Sequence, residues 1–102
     1  MQLLTKELRK KLPPIGTTQA QENPMAICKF FTPDANWTWW PFEFDGKDTF
    51  FGAVSGMEFE LGNFSLSELQ ETTGSLGLHV ERDLYFKPTP LSKIHEQYDR
   101  HG

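Results

Sequence analysis

Apolar positions along this chain follow two periods. Near the amino terminus Leu4, Leu8 and Leu12 recur every four residues, Thr5 offers a capping hydroxyl, and Pro13-Pro14 closes the run. That pattern predicts a short helix with a basic opposite face. Residues 16–23 are polar and aperiodic, as expected of an exposed, flexible loop. From Pro24 onward the period drops to two. In residues 25–31, Ala26, Cys28 and Phe30 alternate with Ile27, Lys29 and Phe31, and Thr32-Pro33-Asp34-Ala35 supplies a turn. Residues 37–44 make a second predicted strand, and Asp45-Gly46 accommodates the positive φ of a tight hairpin into a third at 49–55. After a turn at Gly56, Met57, Phe59 and Leu61 alternate with Glu58 and Glu60, the pattern of a strand buried on one face and solvated on the other.

Beyond this meander, Ser65-Leu66-Ser67-Glu68 has the form of a capping box and predicts a helix over 66–72, ended by Gly74 and Gly77. Residues 80–87, with Leu84, Tyr85 and Phe86, read as a fifth strand. Thr89-Pro90 places a hydroxyl before a proline at the first position of a last helix, whose apolar stripe is Leu91, Ile94 and Tyr98; residues 99–102 are expected to fray. With 102 residues there is enough chain for one core, so a single domain over 1–102 is expected. Its fold class is α+β: an antiparallel meander sheet of four to five strands, with two to three short helices packed on one face.

Composition sharpens this picture at one place. The block from Phe30 to Phe64 holds eleven of the fourteen aromatic residues and a single positive charge, Lys47. Net charge is -4 but uneven: Lys6, Arg9, Lys10 and Lys11 stand against Glu7 alone, whereas ten acids between Asp34 and Asp83 face only Lys47 and Arg82. Such a body repels phosphate backbones and attracts a basic protein surface. The amino-terminal bases read as a solvated helix face. No apolar run approaches the roughly 18 residues of a membrane span, and no signal peptide is expected. Cys28 is the sole cysteine, which excludes an internal disulfide and fits a cytoplasmic location.

Candidate chemistry is sparse. His79, His95 and His101 fall in no His-x-x-x-His spacing and Cys28 in no Cys-x-x-Cys, so neither a metal nor a cofactor is predicted. Ser55, Ser65, Ser67, Ser75 and Ser92 occupy no Gly-x-Ser-x-Gly elbow. Cys28 shares a face with Ala26 and Phe30 and reads as an inert core thiol. Glu43, Asp45 and Asp48 around the hairpin, with Glu58 and Glu60, could line a cation site but fit no established loop. Trp37, Trp39 and Trp40 cannot all enter one core, because alternation sends Trp40 to the face opposite the other two. The expected binding surface is therefore Trp37, Trp39 and Trp40 as anchors, with Glu43, Asp45, Asp48, Glu58 and Glu60 steering a partner. Base stacking would call for a positive groove beside the indoles, and the sequence supplies none there.

The segments LLTKELRKKLPP, KFFTPDANWTWWPFEFDGKDTFFGAVSG, ELGNFSLSEL and ERDLYFKPTPLSKI, in this order, resemble a bacterial domain-of-unknown-function family of this length, found on plasmids, conjugative elements and phages. Lys47 stands where an acid is common in that pattern, and His79 where proline is common. The resemblance transfers no catalytic residue. It implies an accessory protein of a mobile genetic element, and with the acidic aromatic surface it sets the expectation: a non-enzymatic protein that binds a partner with a basic surface, such as a host defence nuclease it inhibits. An alternative is a module that sequesters a nucleotide or other planar ligand, with Arg82 or Lys87 meeting its charge. A third is a metal-assisted hydrolase built on the hairpin carboxylates.

Overall fold

Aromatic and β-branched residues in period-two runs pair as antiparallel strands, and short capped helices close over them. The computed structural model describes residues 2–101, and among their side chains those of residues 2–97. In chain order the elements are α1 (Lys6–Lys11), β1 (Met25–Ala26), β2 (Phe30–Phe31), β3 (Thr38–Phe44), β4 (Thr49–Ser55), β5 (Phe59–Ser65), α2 (Leu66–Glu71), β6 (Glu81–Arg82), β7 (Thr89–Pro90) and α3 (Leu91–His101). The fold is α+β, as the sequence predicts. Five antiparallel strands form one sheet in the order β5-β4-β3-β2-β6, and β1 pairs with β7 apart from it. Strands β2 to β5 are the expected meander. β6, inside the predicted fifth strand, returns to the outer side of β2.

Local signals place the first two helices. Thr5 Oγ1 accepts from the Leu8 amide at 3.2 Å and starts α1, and Ser65 Oγ accepts from the Glu68 amide at 3.1 Å and starts α2. Leu3, Leu4 and Leu12 are buried around α1, as are Leu66 and Leu69 of α2. α3 begins one residue later than its sequence implies. Thr89 Oγ1 donates to the carbonyl of Lys87, two residues back, instead of capping, and Asn23 Oδ1 accepts from the Ser92 amide at 2.8 Å. The cap thus comes from a residue far away in sequence. Tyr98 of the predicted stripe and the predicted frayed tail at 99–102 lie outside the described side chains.

Register assigns the two faces of the sheet. Directly paired residues project to the same side, so Trp39, Val54 and Glu60 share one face and Trp40, Ala53 and Leu61 the other. The first face carries Phe30, Trp39, Phe44, Phe50 and Phe64, covered by the leucines around α1 and α2. Phe50 sits at its centre, 4.7 Å from Phe44 and 5.3 Å from Phe64 between ring centroids. The second face carries Phe42, Ala53, Trp40, Phe51 and Phe59, covered by Ala26, Leu91 and Ile94. The helices are therefore divided between the faces, α1 and α2 on one and α3 on the other. Gathering all three on one face would leave the second aromatic cluster in water.

Two further corrections follow from pairing. The single strand expected over 25–31 is broken, because Ala26 belongs to the second cluster whereas Cys28 and Phe30 belong to the first. The chain passes from one layer to the other between them, with the Ile27 amide donating to the Pro41 carbonyl at 2.9 Å. In β3 the register slips between Pro41 and Glu43, leaving Phe42 without a partner across the ladder. A proline inside a central strand is tolerated at such a bulge. Gly52 lies opposite, where a Cβ would meet the Trp40 carbonyl oxygen at 2.1 Å. Only glycine lets the two backbones come this close.

Candidate interaction surface

One end of the sheet gathers the turns β2–β3 and β4–β5. The first is closed by Thr32, whose amide donates to the Trp37 carbonyl at 3.0 Å while its hydroxyl oxygen accepts from the Trp37 amide at 3.1 Å. Trp37 is thereby fixed at the rim with 43% of its surface exposed. Its ring stacks on Trp39 at 6.1 Å and lies so close to Gly56 that a Cβ there would sit 2.4 Å from the indole. Met57, next to Gly56, is 92% exposed. A third turn joins this end. Asp34 Oδ2 accepts from the amides of Leu76 at 2.6 Å and Leu78 at 3.3 Å, bringing exposed Leu76 alongside. Single exposed apolar side chains are ordinary, whereas a contiguous exposed apolar patch marks an interaction site.

The other tryptophans take different places. Trp39 is 7% exposed and belongs to the first cluster. Trp40 is half-buried on the opposite face, 5.9 Å from Phe59. Alternation thus divides the three indoles as the sequence implies, but only Trp37 presents substantial surface. Met57 was expected on a buried strand face with Leu61. Instead it rides in the turn before β5, and Leu61 is exposed. The strand begins two residues later than its alternation, and the turn carries Met57 outward.

The acids do not form one ring. Asp45 and Asp48 flank the β3–β4 hairpin, at the other end of β3 from Trp37, about 20 Å away at the usual rise per strand residue. Asp45 Oδ1 accepts from the amides of Lys47, Asp48 and Thr49 at 2.8, 2.9 and 3.0 Å. Those three bonds, the Lys47 amide foremost, hold its carboxyl below the ordinary carboxylate range. Asp48 accepts from the Ser67 amide and hydroxyl at 2.9 and 2.7 Å and so supports the start of α2. Glu58 and Glu60 are exposed at the Trp37 end.

Glu43 leaves the surface set altogether. It is fully buried, and its oxygens accept from the amides of Gly16 at 2.8 Å and Thr18 at 2.5 Å, and from the Thr18 hydroxyl at 2.5 Å. Burial by itself would raise its carboxyl, but the bonds from Thr18 and Gly16 outweigh it and hold the group below its ordinary value. A charge used this way fastens the loop after α1 onto the sheet. It cannot steer a partner.

Most groups named for the alternatives are bonded within the protein. Each hairpin carboxylate is aimed at backbone or side-chain donors, and among the described residues no three His, Cys, Asp or Glu side chains come together to hold an ion. Arg82 donates to the carbonyls of Gln2 and Leu3, pinning the amino-terminal segment to β6. Cys28 is buried, and desolvation pushes its thiol up to about 12 despite the Arg82 charge. It is the core thiol expected.

Comparison with known proteins adds a family. The description "Protein of unknown function (DUF2958)" belongs to the family that matches residues 3–102. The chain belongs to this family. No curated protein and no solved structure matches it. No helix among the described residues is long and apolar enough to cross a membrane.

Proposed function

We propose that this member of the family is a non-enzymatic interaction protein that grips a partner with the Trp37 end of its sheet. One observation carries the reading: Trp37 is locked in place by Thr32, Trp39 and Gly56 yet remains 43% exposed, with Met57 beside it and Glu58 and Glu60 nearby. A pre-ordered indole loses little conformational entropy on binding, and tryptophan is a frequent hot spot. The acids complement a basic partner and make association fall with salt. Under this proposal the chain serves as a cytoplasmic accessory protein of a mobile genetic element. A host defence nuclease, with its basic nucleic-acid-binding face, is the class of partner that fits the charge.

The test is affinity capture with mass spectrometry from a bacterial host, comparing wild type with Trp37→Ala and Glu58→Lys. Trp37 is the informative indole, because Trp39 is buried. A partner held by wild type and lost from both variants, with unchanged circular dichroism, supports the surface. Equal recovery by all three proteins refutes it. The nucleotide-stacking alternative has less support at this site, since Trp39 and Gly56 pack against the Trp37 ring and Arg82 donates to the carbonyls of Gln2 and Leu3.

A further inference from the structure

The two edges of the main sheet differ sharply. One edge is β6, two residues long, which shortness alone protects from further pairing. The other is β5, seven residues in unbroken register with β4 from Thr49↔Ser65 to Ser55↔Phe59, with no strand on its outer side among the described residues. Proteins blunt such edges with proline, lysine or a bulge. The sequence of β5, FELGNFS, contains neither proline nor lysine, and its ladder with β4 shows no irregularity. Gly62 at its middle has open space where a Cβ would point.

Beside this edge lies a groove of about 610 Å³, formed where β5 meets the start of α3. Phe59, Leu61 and Leu91 contribute apolar lining, and Glu22, Glu60 and His95 contribute polar groups. Leu61 is 50% exposed there. The pairing pattern dictates what an added strand would need. A residue set opposite Glu60 projects to the face of Trp39, and the residue set opposite Leu61 projects into the groove. A cation suits the first position and an apolar side chain the second.

We infer that β5 is a docking edge, which takes an extended segment of a partner protein as a sixth strand, with a basic side chain opposite Glu60 and an apolar one opposite Leu61. Main-chain bonds supply affinity in this mode, and the side-chain pockets supply choice. A second copy of β5 is the poorer occupant. The strand carries no positive residue, so a second copy paired about Gly62 would set Glu60 opposite Phe64 and leave it without a counter-charge. The edge shares Glu60 with the Trp37 end but needs neither Trp37 nor Met57.

The test uses the full chain and a fluorescein-labelled heptapeptide alternating lysine with valine, read by anisotropy and by hydrogen exchange. Saturable binding is expected, with new amide protection in residues 59–65. Glu60→Lys, an exposed change that leaves the fold intact, should weaken binding by about fivefold, and Leu61→Asp by more. Trp37→Ala should leave it unchanged. A block-ordered peptide of the same composition tests for simple charge attraction. Equal binding of that peptide, protection appearing away from 59–65, or absence of saturable binding would each overturn the inference. So would a dimer of the free chain in sedimentation equilibrium that Leu61→Asp dissolves, since the edge would then belong to a second copy.

Discussion

Replacing Glu43 by glutamine tests whether a buried charge holds the loop to the sheet. The substitution keeps the shape but turns one carboxylate oxygen into an amide nitrogen. Either the Gly16 amide or the Thr18 amide and hydroxyl must then face a donor. A hydrogen bond to a charged acceptor is worth about 1.5 to 3 kcal/mol, and a buried donor left unmatched costs about 1 to 3 kcal/mol. Relief of the desolvation cost of the carboxylate offsets part of this, for a net loss of about 2 to 3 kcal/mol. For a domain of this size the expected fall in Tm is roughly 10 to 20 °C. Circular dichroism melts at neutral pH measure it.

The same pair of proteins gives a pH signature. The pKa of Glu43 lies below its ordinary value of 4.5 in the folded chain. A depressed carboxyl stabilises the fold fully above the unfolded value, and the contribution is lost as pH falls through the lower folded one. The gap in Tm between wild type and Glu43→Gln should therefore be widest above pH 4.5 and close below it. Hydrogen exchange should show the amides of Gly16 and Thr18 losing protection in the variant at neutral pH. A variant within about 2 °C of wild type, or a gap that stays constant into acid, would refute the clamp.

Three other substitutions or reactions test the surrounding architecture. Gly52→Ala forces a Cβ to 2.1 Å from the Trp40 carbonyl oxygen, and overpacking of this kind should lower stability by about 3 kcal/mol in urea titration; a loss under about 1 kcal/mol would mean that the strands separate freely. Asp48→Ala removes the acceptor for the Ser67 amide and hydroxyl and should cost about 1 kcal/mol, as loss of a helix cap does, with m unchanged. Cys28, with its thiol near 12 and buried, should react with a disulfide reagent at pH 8 only as fast as the protein unfolds. Rapid stoichiometric labelling without denaturant would contradict its burial.

How much of this was legible in the chain depends on the range of each signal. Thr5 and Ser65 announce their helices because a cap and its amide lie three residues apart. The meander is legible for the same reason, being built of neighbours in sequence. Asn23 as the cap of α3 is not, because it acts across 69 positions. Glu43 is the clearest case. Uninterrupted alternation from Trp39 would send Phe44 to the face of Trp40, yet Phe44 packs with Phe50 and Trp39. The slip at Phe42 reverses every face after it, and with it the fate of Glu43. Pro41 in an otherwise central strand was the available sign of a bulge.

That bulge also bears on why the candidate surfaces lie where they do. By turning Glu43 toward the loop after α1, it ties that loop over the hairpin half of the sheet, and Asp45 and Asp48 are spent there on amides. The acids nearest the hairpin therefore shape the protein itself. At the opposite end the bonds of Trp37 to Thr32 leave its indole exposed, and among the described residues no strand pairs with the outer side of β5. The aromatic block thus serves two purposes that composition alone merges. Most of its rings fill two cores, one on each side of the sheet, and their rigidity is what can hold a single indole and a bare strand edge steady in water.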